Sequence, residues 1–283
     1  MQTINTIAET RAIIAAQVKA GKRIGFAPTM GNLHEGHATL LREARKYSDF
    51  VVSSVFVNPT QFGAGEDFDS YPRTLAADQE RLAAAGCELL FAPSVAEMYP
   101  DKNNDWVRVI VTDITTRHCG ASRPGHFDGV GLVVSKLFNI VKPNVALFGK
   151  KDFQQLAVIR RMVQALCFDI EIIGVDTVRE ANGLAMSSRN GYLTSAEKEQ
   201  AALLYKTLCA TRDAIKAGNK DFSALTAAAT SALSGGGFVP DYFNICRADN
   251  LQLASAEDRS LVILAAAKLG KARLIDNVDF EVM

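Results

Sequence analysis

The stretch that decides the fold is Pro28-Thr29-Met30-Gly31-Asn32-Leu33-His34-Glu35-Gly36-His37, which follows a short apolar run at 24–27 and precedes a helical pattern. A strand that feeds a helix through a glycine-bearing turn presents main-chain N–H groups and the positive end of a helix dipole, which suits phosphate. Two of the chain's four histidines, His34 and His37, share a helix face here. The stretch therefore predicts a phosphate-binding strand–turn–helix unit. The alternative is that one histidine only caps the helix and the other lies on the surface.

Length and composition set the class of protein. The chain has 283 residues, of which 48% are apolar and 22% charged, as in ordinary folded proteins. This length predicts two domains of unequal size. Lysine plus arginine equals aspartate plus glutamate, 31 each, so no overall field attracts nucleic acid or an anionic membrane. Any phosphate binding must therefore be local.

Cysteine spacing and hydropathy indicate the compartment. The five cysteines lie far apart without a Cys-x-x-Cys pair, so neither a zinc ribbon nor a disulfide scaffold is indicated. Residues 1–22 mix polar and charged residues among the apolar ones and lack the core of a signal peptide. No stretch reaches transmembrane length without charge. We therefore expect a soluble cytoplasmic protein with no membrane partner.

Short apolar runs alternate with helical patterns in the first part of the chain, which predicts an α/β fold with a doubly wound parallel sheet. The predicted strands are 24–28, 50–58, 88–92, 107–111, 144–149 and 170–178. The predicted helices include 75–85, 130–141 and 152–167. Beyond residue 178, Thr194 and Glu197 predict a capping box that opens a helix to about residue 217. A helix at 222–233 and strands at 242–247, 261–267 and 272–276 complete a predicted smaller α+β domain.

These patterns predict a larger domain over residues 1–178 and a smaller domain over 179–283 that acts as a lid. In doubly wound sheets, ligands bind outside the carboxyl ends of the strands, so polar residues after each strand are candidates. They include Asn58 and Gln61, the segment 149–155 and the segment 178–190. Asp152 is a good N-cap, and either Gln154 or Gln155 must face the strand ends. Solvated lysines beside a cap are the simpler alternative for 149–152.

Two further loops are candidates. Met186-Ser187-Ser188-Arg189-Asn190 groups hydroxyls, a guanidinium and an amide, which suits phosphate, although a plain polar linker is an alternative. The loop 121–127, with Arg123 and His126, is equally a turn or a site. The phosphate-loop, dinucleotide, nucleophile-elbow and His-Glu-x-x-His motifs do not occur, and His34 and His37 are one residue too close for that zinc motif. An ATP-dependent enzyme is therefore favoured over a dehydrogenase, hydrolase or metalloprotease.

Taken together, these motifs closely resemble the pantoate–β-alanine ligase family, part of a nucleotidyltransferase superfamily with a Rossmann-like ATP site. The resemblance covers most of the first two thirds of the chain, with a looser match at 272–276. The matching strings are PTMGNLHEGH (28–37), FVNPTQF (56–62), YPRT (71–74), FAPS (91–94), SRPGHF (122–127), SKLFN (135–139), KDFQQL (151–156) and MSSRNGYL (186–193).

The resemblance implies a two-step reaction, in which ATP and pantoate form pantoyl adenylate and pyrophosphate, and β-alanine then displaces AMP to give pantothenate. It also implies Mg²⁺, with ATP as co-substrate, and a homodimer. The implied ATP-binding residues are Met30, Gly31, Asn32, Leu33, His34, Glu35, Gly36, His37, Gly149, Lys150, Lys151, Asp152, Val178, Met186, Ser187, Ser188 and Arg189. Gln61, Gln155, Asn58, Tyr71 and Arg123 are the implied contacts to pantoate and β-alanine.

The resemblance further implies catalytic roles for His34, His37, Lys151, Ser187, Ser188 and Arg189, with His37 as a proton donor. Lys150 stands where many relatives carry glutamate or glutamine, so its role is open. For magnesium, Asp78 is a candidate ligand, and binding mainly through phosphates and water is the alternative.

Two rival functions remain at this point. A nucleotidyltransferase that adenylates a phosphorylated metabolite would use the same histidine turn without forming an amide, but the paired glutamines favour a neutral, hydroxylated acid. A nucleotide-sensing or RNA-binding module would need a basic face, and the neutral composition offers none.

Overall fold

The computed structural model describes residues 1–63, 65–100 and 107–282. The chain forms two compact units. The first contains Met1–Thr112, Arg123–Lys150 and Val158–Asp176, and the second contains Asp113–Ser122, Lys151–Ala157 and Thr177–Met283. Two short segments from earlier in the chain therefore count with the C-terminal residues.

The first unit is built on a parallel sheet, as the alternating pattern predicts. Among the described residues the strand order is β1-β4-β3-β2-β5-β6, and each neighbouring pair runs parallel. The strands are β1 (Gln2–Ile4), β2 (Ile24–Thr29), β3 (Phe50–Val55), β4 (Leu89–Phe91), β5 (Val145–Gly149) and β6 (Glu171–Val175). The order reverses between β2 and β5, so the exits of these two strands flank the switch point of the sheet.

The chain contains helices in both units. In chain order they are α1 (Ile7–Lys19), α2 (Glu35–Ala44), α3 (Leu75–Ala84), α4 (Val95–Met98), α5 (Cys119–Ser122), α6 (His126–Val141), α7 (Phe153–Ala165), α8 (Ser195–Lys216) and α9 (Phe222–Gly235). Short 3-10 turns lie at Pro59–Gln61, Lys150–Asp152 and Ser188–Tyr192. Within the described ranges, none of these helices combines the length and the apolarity that crossing a membrane requires.

The core of the first unit follows from the apolar strands. Ile24, Phe26 and Ala27 of β2 are completely buried, as expected for a parallel strand covered on both faces. Leu41 of α2 and Leu82 of α3 pack in the same cluster of buried side chains. Each such buried leucine stabilises the fold by roughly 1.5–3 kcal/mol.

The second unit contains an antiparallel sheet in the order β7-β8-β9, formed by β7 (Val239–Arg247), β8 (Ser260–Leu269) and β9 (Ala272–Glu281). Helices α8 and α9 bury Leu208 and Leu233 in one cluster with Phe243 of β7 and Ile263 of β8. The predicted capping box is confirmed, because Thr194 and Glu197 cap each other's main-chain N–H at the start of α8. The expected smaller α+β fold is therefore present.

One predicted strand is wrong. Residues 107–111 form no strand. The segment instead packs against helix α6 at Gly131, where the absence of a side chain allows close approach. A Cβ atom at position 131 would lie 3.0 Å from the Val109 carbonyl oxygen. Val107 and Ile110 are exposed, so the apolar run does not mark a buried strand. Conversely, β1 is only three residues long, too short for a periodic signal.

Candidate active site

The turn between β2 and α2 contains two histidines that cap each other's backbone. The Nδ1 atom of His34 accepts the main-chain N–H of Gly36 at 3.2 Å, and the Nδ1 atom of His37 accepts the N–H of His34 at 3.2 Å. The two rings lie 4.1 Å apart between centroids. Because each Nδ1 is an acceptor, each neutral ring carries its hydrogen on Nε2. The turn thus holds two imidazole donors in fixed orientations.

The preceding residues form a left-handed pair that Asp78 of α3 holds in place. Gly31 has φ +83° and Asn32 has φ +49°. The Asp78 carboxylate accepts the main-chain N–H of Asn32 at 3.0 Å and that of Leu33 at 2.8 Å. Any side chain at position 31 would start 3.0 Å from Asp78 Oδ2, so the turn requires glycine.

These contacts correct the expectation that free main-chain N–H groups would meet phosphate here. The N–H groups of Asn32, Leu33, His34 and Gly36 all have acceptors within the protein. The helix N-terminus is therefore largely satisfied by its own side chains. Donors at this turn come from the imidazole Nε2 atoms instead. Glu35, also a candidate, is exposed at its side chain and pairs with Arg42.

At the exit of β3, the chain turns through Pro59–Gln61 and places two buried amides together. The Asn58 Nδ2 atom donates to Gln61 Oε1 at 3.1 Å, and the Gln61 Nε2 atom lies 3.1 Å from the Met30 sulfur. Both side chains are almost fully buried. Met30, Asn58 and Gln61, three sequence-predicted residues, therefore lie together at neighbouring strand exits.

Arg123 lies beside the same turn, in a charged group that includes two residues absent from the predicted site. The Arg123 guanidinium binds both oxygens of Glu66 at 2.6 Å, and its Nη1 atom lies 3.0 Å from His126 Nε2. His126 Nδ1 is 2.8 Å from the Gln61 carbonyl. The guanidinium holds the pKa of Glu66 at about 2, well below its usual range. Tyr71, predicted for the pocket, is buried and its ring meets Phe62 edge-on.

At the exit of β5, Gly149 leads into the 3-10 turn Lys150–Asp152. The Lys150 ammonium forms an ion pair with Asp176 at 2.8 Å. Asp176 directly follows β6 and its side chain is highly exposed. This pair gives Lys150 a partner within the first unit.

In the second unit, Asn277 of β9 fixes the position of Lys151. The Asn277 side-chain amide donates to the Lys151 carbonyl at 2.9 Å. The Lys151 ammonium lies 3.6 Å from the Asp152 carboxylate. Asp152, predicted as an N-cap, lies in the 3-10 turn ahead of α7.

The two glutamines of α7 have different surroundings. Gln154 is buried and its amide is used within the second unit, where it donates to the carbonyls of Ile114 and Arg117 and accepts the N–H of Cys119. Gln155 is half-buried. Of the two, Gln155 is therefore the candidate for a substrate contact, as the resemblance implies.

Val178 and Met186 are joined by a short hairpin. The Met186 N–H donates to the Val178 carbonyl at 3.0 Å, and Arg179 pairs with Ala185 across the hairpin. Asp276 of β9 holds this hairpin through a bidentate ion pair with Arg179, at 2.6 and 2.9 Å. Adjacent residues of one strand, Asp276 and Asn277, therefore position two segments of the predicted ATP site.

The hydroxyl-rich loop follows this hairpin. The Ser187 hydroxyl accepts the N–H of Arg189 at 3.3 Å and caps the 3-10 turn Ser188–Tyr192. Ser187, Ser188 and Arg189 are all half-buried. The loop is thus an ordered turn in the second unit.

No group of three or more histidine, cysteine, aspartate or glutamate side chains that could hold a metal occurs within residues 1–63, 65–100 and 107–282. Asp78 is 2% exposed, and it also accepts the Thr74 hydroxyl at 3.2 Å. Its carboxylate is therefore engaged with the protein on several sides.

Glu66, Tyr99, Asp276 and Asn277 contact candidate site residues but were not predicted from the sequence; Tyr99 does so by donating its hydroxyl to Asn58 Oδ1 at 2.8 Å. For Asp276, the looser match at 272–276 was a signal that could have found it. The other three act through contacts distant in sequence, which local patterns do not reveal.

The fold and the strand-exit residues define a nucleotide-binding α/β protein with a His-x-Gly-His turn. The family model for pantoate-beta-alanine ligase matches residues 2–279. Pantothenate synthetase from Pseudomonas fluorescens (strain Pf0-1) is 58% identical over 278 residues, which cover 98% of this chain and 97% of that protein. The chain belongs to the pantoate–β-alanine ligase family.

Solved structures of family members have the same fold as this chain. Pantothenate synthetase from Thermus thermophilus superposes with a TM-score of 0.92 at 44% identity and 99% coverage of both chains. Pantoate-beta-alanine ligase from Francisella tularensis, solved with beta-gamma ATP and beta-alanine, gives 0.80 at 35% identity, covering 99% of this chain and 97% of that one. The protein is an ATP-dependent ligase that condenses pantoate with β-alanine to pantothenate through pantoyl adenylate.

Proposed function

We propose that the His34 and His37 imidazoles bind the phosphates of ATP during adenylate formation. The observation that carries this assignment is the reciprocal cap, in which both Nδ1 atoms accept main-chain N–H groups. Each Nε2–H is then a donor of fixed direction. Such donors favour the transition state, because negative charge grows on the departing pyrophosphate. His37 would supply a proton or a strong hydrogen bond to that group.

The acid would be held at the exit of β3. Gln61 presents its amide beside Met30. The family resemblance also assigns the Gln155 amide of α7 to the acid. Tyr71 and Arg123 belong to the same proposed set for pantoate and β-alanine, and Asn58 belongs to it through its hydrogen bond to the Gln61 amide. Neutral amides suit the hydroxyl groups of pantoate, because they can donate and accept. This assignment follows the family resemblance and is supported by the burial of Asn58 and Gln61.

The remaining nucleotide contacts are assigned to Met30–His37, Gly149–Asp152, Val178 and Met186–Arg189. Among them, Lys151, Ser187, Ser188 and Arg189 carry the donors that would neutralise the triphosphate. Two of these segments are held in place by strand β9, which supports the assignment. Asn277 binds the Lys151 carbonyl, and Asp276 binds Arg179 of the 178–186 hairpin.

The reaction balances in two displacements. In the first, a pantoate carboxylate oxygen attacks the α-phosphorus of ATP and the bond to the β-phosphate oxygen breaks, which releases pyrophosphate. In the second, the β-alanine amine attacks the acyl carbon, the bond to AMP breaks and the nitrogen loses a proton. The protein contributes mainly alignment and charge stabilisation.

We further propose that Mg²⁺ enters with ATP and is held mainly by phosphates and water. The engaged Asp78 carboxylate supports this view, because its oxygens already accept N–H and O–H donors. A homodimer and a cytoplasmic location are proposed from the family resemblance. Five free thiols support a reducing compartment.

The test is exchange of labelled pyrophosphate into ATP. We expect exchange that requires pantoate and Mg²⁺ but not β-alanine, because the adenylate forms before the amine enters. Exchange that is absent with pantoate, in protein shown to be folded, would contradict the proposed order. Sedimentation of the purified chain would test the dimer.

A further inference from the structure

The Asn58 side chain has no hydrogen-bonding capacity left for a substrate. Its Nδ2 atom donates to Gln61 Oε1 and to the Gly129 carbonyl, both at 3.1 Å. Its Oδ1 atom accepts the hydroxyl of Tyr99 at 2.8 Å and that of Thr60 at 3.0 Å. A side-chain amide has two donor hydrogens and two acceptor lone pairs, so all four are used. Asn58 is therefore suited to hold Gln61 rather than to bind pantoate itself.

These hydrogen bonds run in one direction. The Tyr99 hydroxyl donates to Asn58, and Asn58 donates to the oxygen of the Gln61 amide. With its oxygen occupied, the Gln61 amide turns its nitrogen toward Met30. The two successive hydrogen bonds thus select one of the two orientations of the Gln61 amide, which differ by exchange of its oxygen and nitrogen. A ligand beside Gln61 would meet an N–H donor.

Tyr99 is well placed to begin this chain of donors. Its side chain is buried, and burial raises the pKa of its hydroxyl, so the group remains protonated. The Lys136 ammonium lies 4.5 Å from the centroid of its ring, a distance at which a cation attracts an aromatic face. Phe56 contacts the ring with centroids 6.1 Å apart. The hydroxyl is therefore held in a fixed position.

We propose that Tyr99 is a positioning residue for the acid pocket: through Asn58, it holds the Gln61 amide so that a nitrogen, not an oxygen, faces the substrate. The inference rests on the proposed role of Gln61 in binding pantoate. It implies that Gln61 recognises an acceptor oxygen of the acid, either a carboxylate or a hydroxyl oxygen.

The test is a double-mutant cycle of Tyr99→Phe with Gln61→Ala, measured as kcat and as KM for each substrate. Tyr99→Phe removes one of two bonds to Asn58, so we expect KM for pantoate to rise about five-fold. KM for ATP and kcat should change less than two-fold. In the Gln61→Ala background, Tyr99→Phe should have no further effect on KM for pantoate, because the amide that Tyr99 orients is absent.

A merely structural role would change kcat and both KM values together, and its effect would persist in the Gln61→Ala background; either result overturns the proposal. The Gln155→Ala background is the control, since the Tyr99→Phe effect should persist there. If Tyr99→Phe does not fold, Thr60→Val removes the other donor to the same oxygen and should give the same pattern. If Gln61→Ala alone leaves KM for pantoate unchanged, the assignment of Gln61 in the proposed function has failed. If only the coupling is absent, the role of Tyr99 is overturned and that of Gln61 stands.

Discussion

The Asn277 side chain donates to the main-chain carbonyl of Lys151 across 126 positions of sequence, at 2.9 Å. Asn277 is buried on β9, so the bond connects the second unit's sheet to the start of α7. A lysine proposed to meet phosphate is therefore positioned through its backbone.

Asn277→Ala is expected to weaken ATP binding because the Lys151 carbonyl loses its donor. The loss of one such bond, worth ~1 kcal/mol, predicts a KM for ATP raised about five-fold with KM for pantoate unchanged. Steady-state kinetics at varied ATP would measure this. Glu281→Gln, on the same strand in an exposed pair with Ser260, is the matched control. An equal change in both variants would contradict the role of Asn277.

His37→Ala and His37→Asn separate capping from catalysis. Alanine removes both the acceptor for the His34 N–H and the Nε2 donor, whereas asparagine keeps an acceptor oxygen near the position of Nδ1. We expect alanine to lower the free energy of unfolding by about 0.5–2 kcal/mol and asparagine to restore most of it. Both should slow adenylate formation, by about 100-fold. Full activity in either folded variant would remove His37 from the chemistry.

Gln155→Ala and Gln154→Ala should give opposite phenotypes although the residues are adjacent. Gln155→Ala is expected to raise KM for pantoate several-fold while ATP binding is kept. Gln154→Ala leaves two carbonyls and an N–H without a partner in a buried position, so it should cost roughly 2–4 kcal/mol of stability. Denaturant unfolding and substrate titrations distinguish them. A Gln155→Ala enzyme that loses only ATP affinity would contradict the pantoate assignment.

Asp78→Asn tests whether this residue holds the turn or a metal. Asparagine has one acceptor oxygen, so it cannot accept both the Asn32 and Leu33 N–H groups in the same way. We expect KM for ATP to rise, with the dependence of the rate on Mg²⁺ concentration unchanged once ATP is saturating. A shift of the Mg²⁺ dependence to much higher concentration would instead identify Asp78 as a ligand.

The Glu66–Arg123 pair predicts a specific effect of acid on stability. The pKa of Glu66 is lowered to about 2 in the folded state, so the unfolded chain binds this proton more readily as the pH falls. The contribution is complete above about pH 4.5 and is lost as the pH falls toward 2. Allowing for solvent screening, it amounts to about 1–2 kcal/mol.

Unfolding free energies measured between pH 5 and pH 3 should therefore fall less steeply in Glu66→Gln than in the parent protein. Glu257→Gln, in an exposed loop, is the control and should keep the parent slope. Parallel curves for the parent and Glu66→Gln would show that the ion pair does not contribute.

The predicted strands succeed where apolar runs are bounded by turn residues. Strand β2 and the helix after it follow directly from the stretch around Pro28, and Thr194 with Glu197 predicts the start of α8. Apolar content alone fails for 107–111, because exposed Val107 and Ile110 mimic a strand. The lid role of residues 179–283 and their division from residues 1–178 stay predictions.

For the site, the local sequence identifies the turn but not the residues that accept hydrogen bonds from its main-chain N–H groups. The pattern around His34 predicts free main-chain N–H groups, whereas Asp78, 44 positions away, accepts two of them. Asn277 and Tyr99 likewise act over long sequence separations. Such contacts depend on strand order and helix packing, which single-sequence patterns do not specify.

The left-handed pair Gly31 and Asn32 has a thermodynamic consequence. Because the Asp78 carboxylate already binds the N–H groups that this geometry directs inward, the conformational entropy of the turn is lost on folding. A nucleotide at the proposed site of His34 and His37 would then meet donors on a rigid turn, and its association would require little further ordering of this loop. Amide hydrogens at Asn32 and Leu33 should accordingly exchange slowly with solvent even before any nucleotide is added.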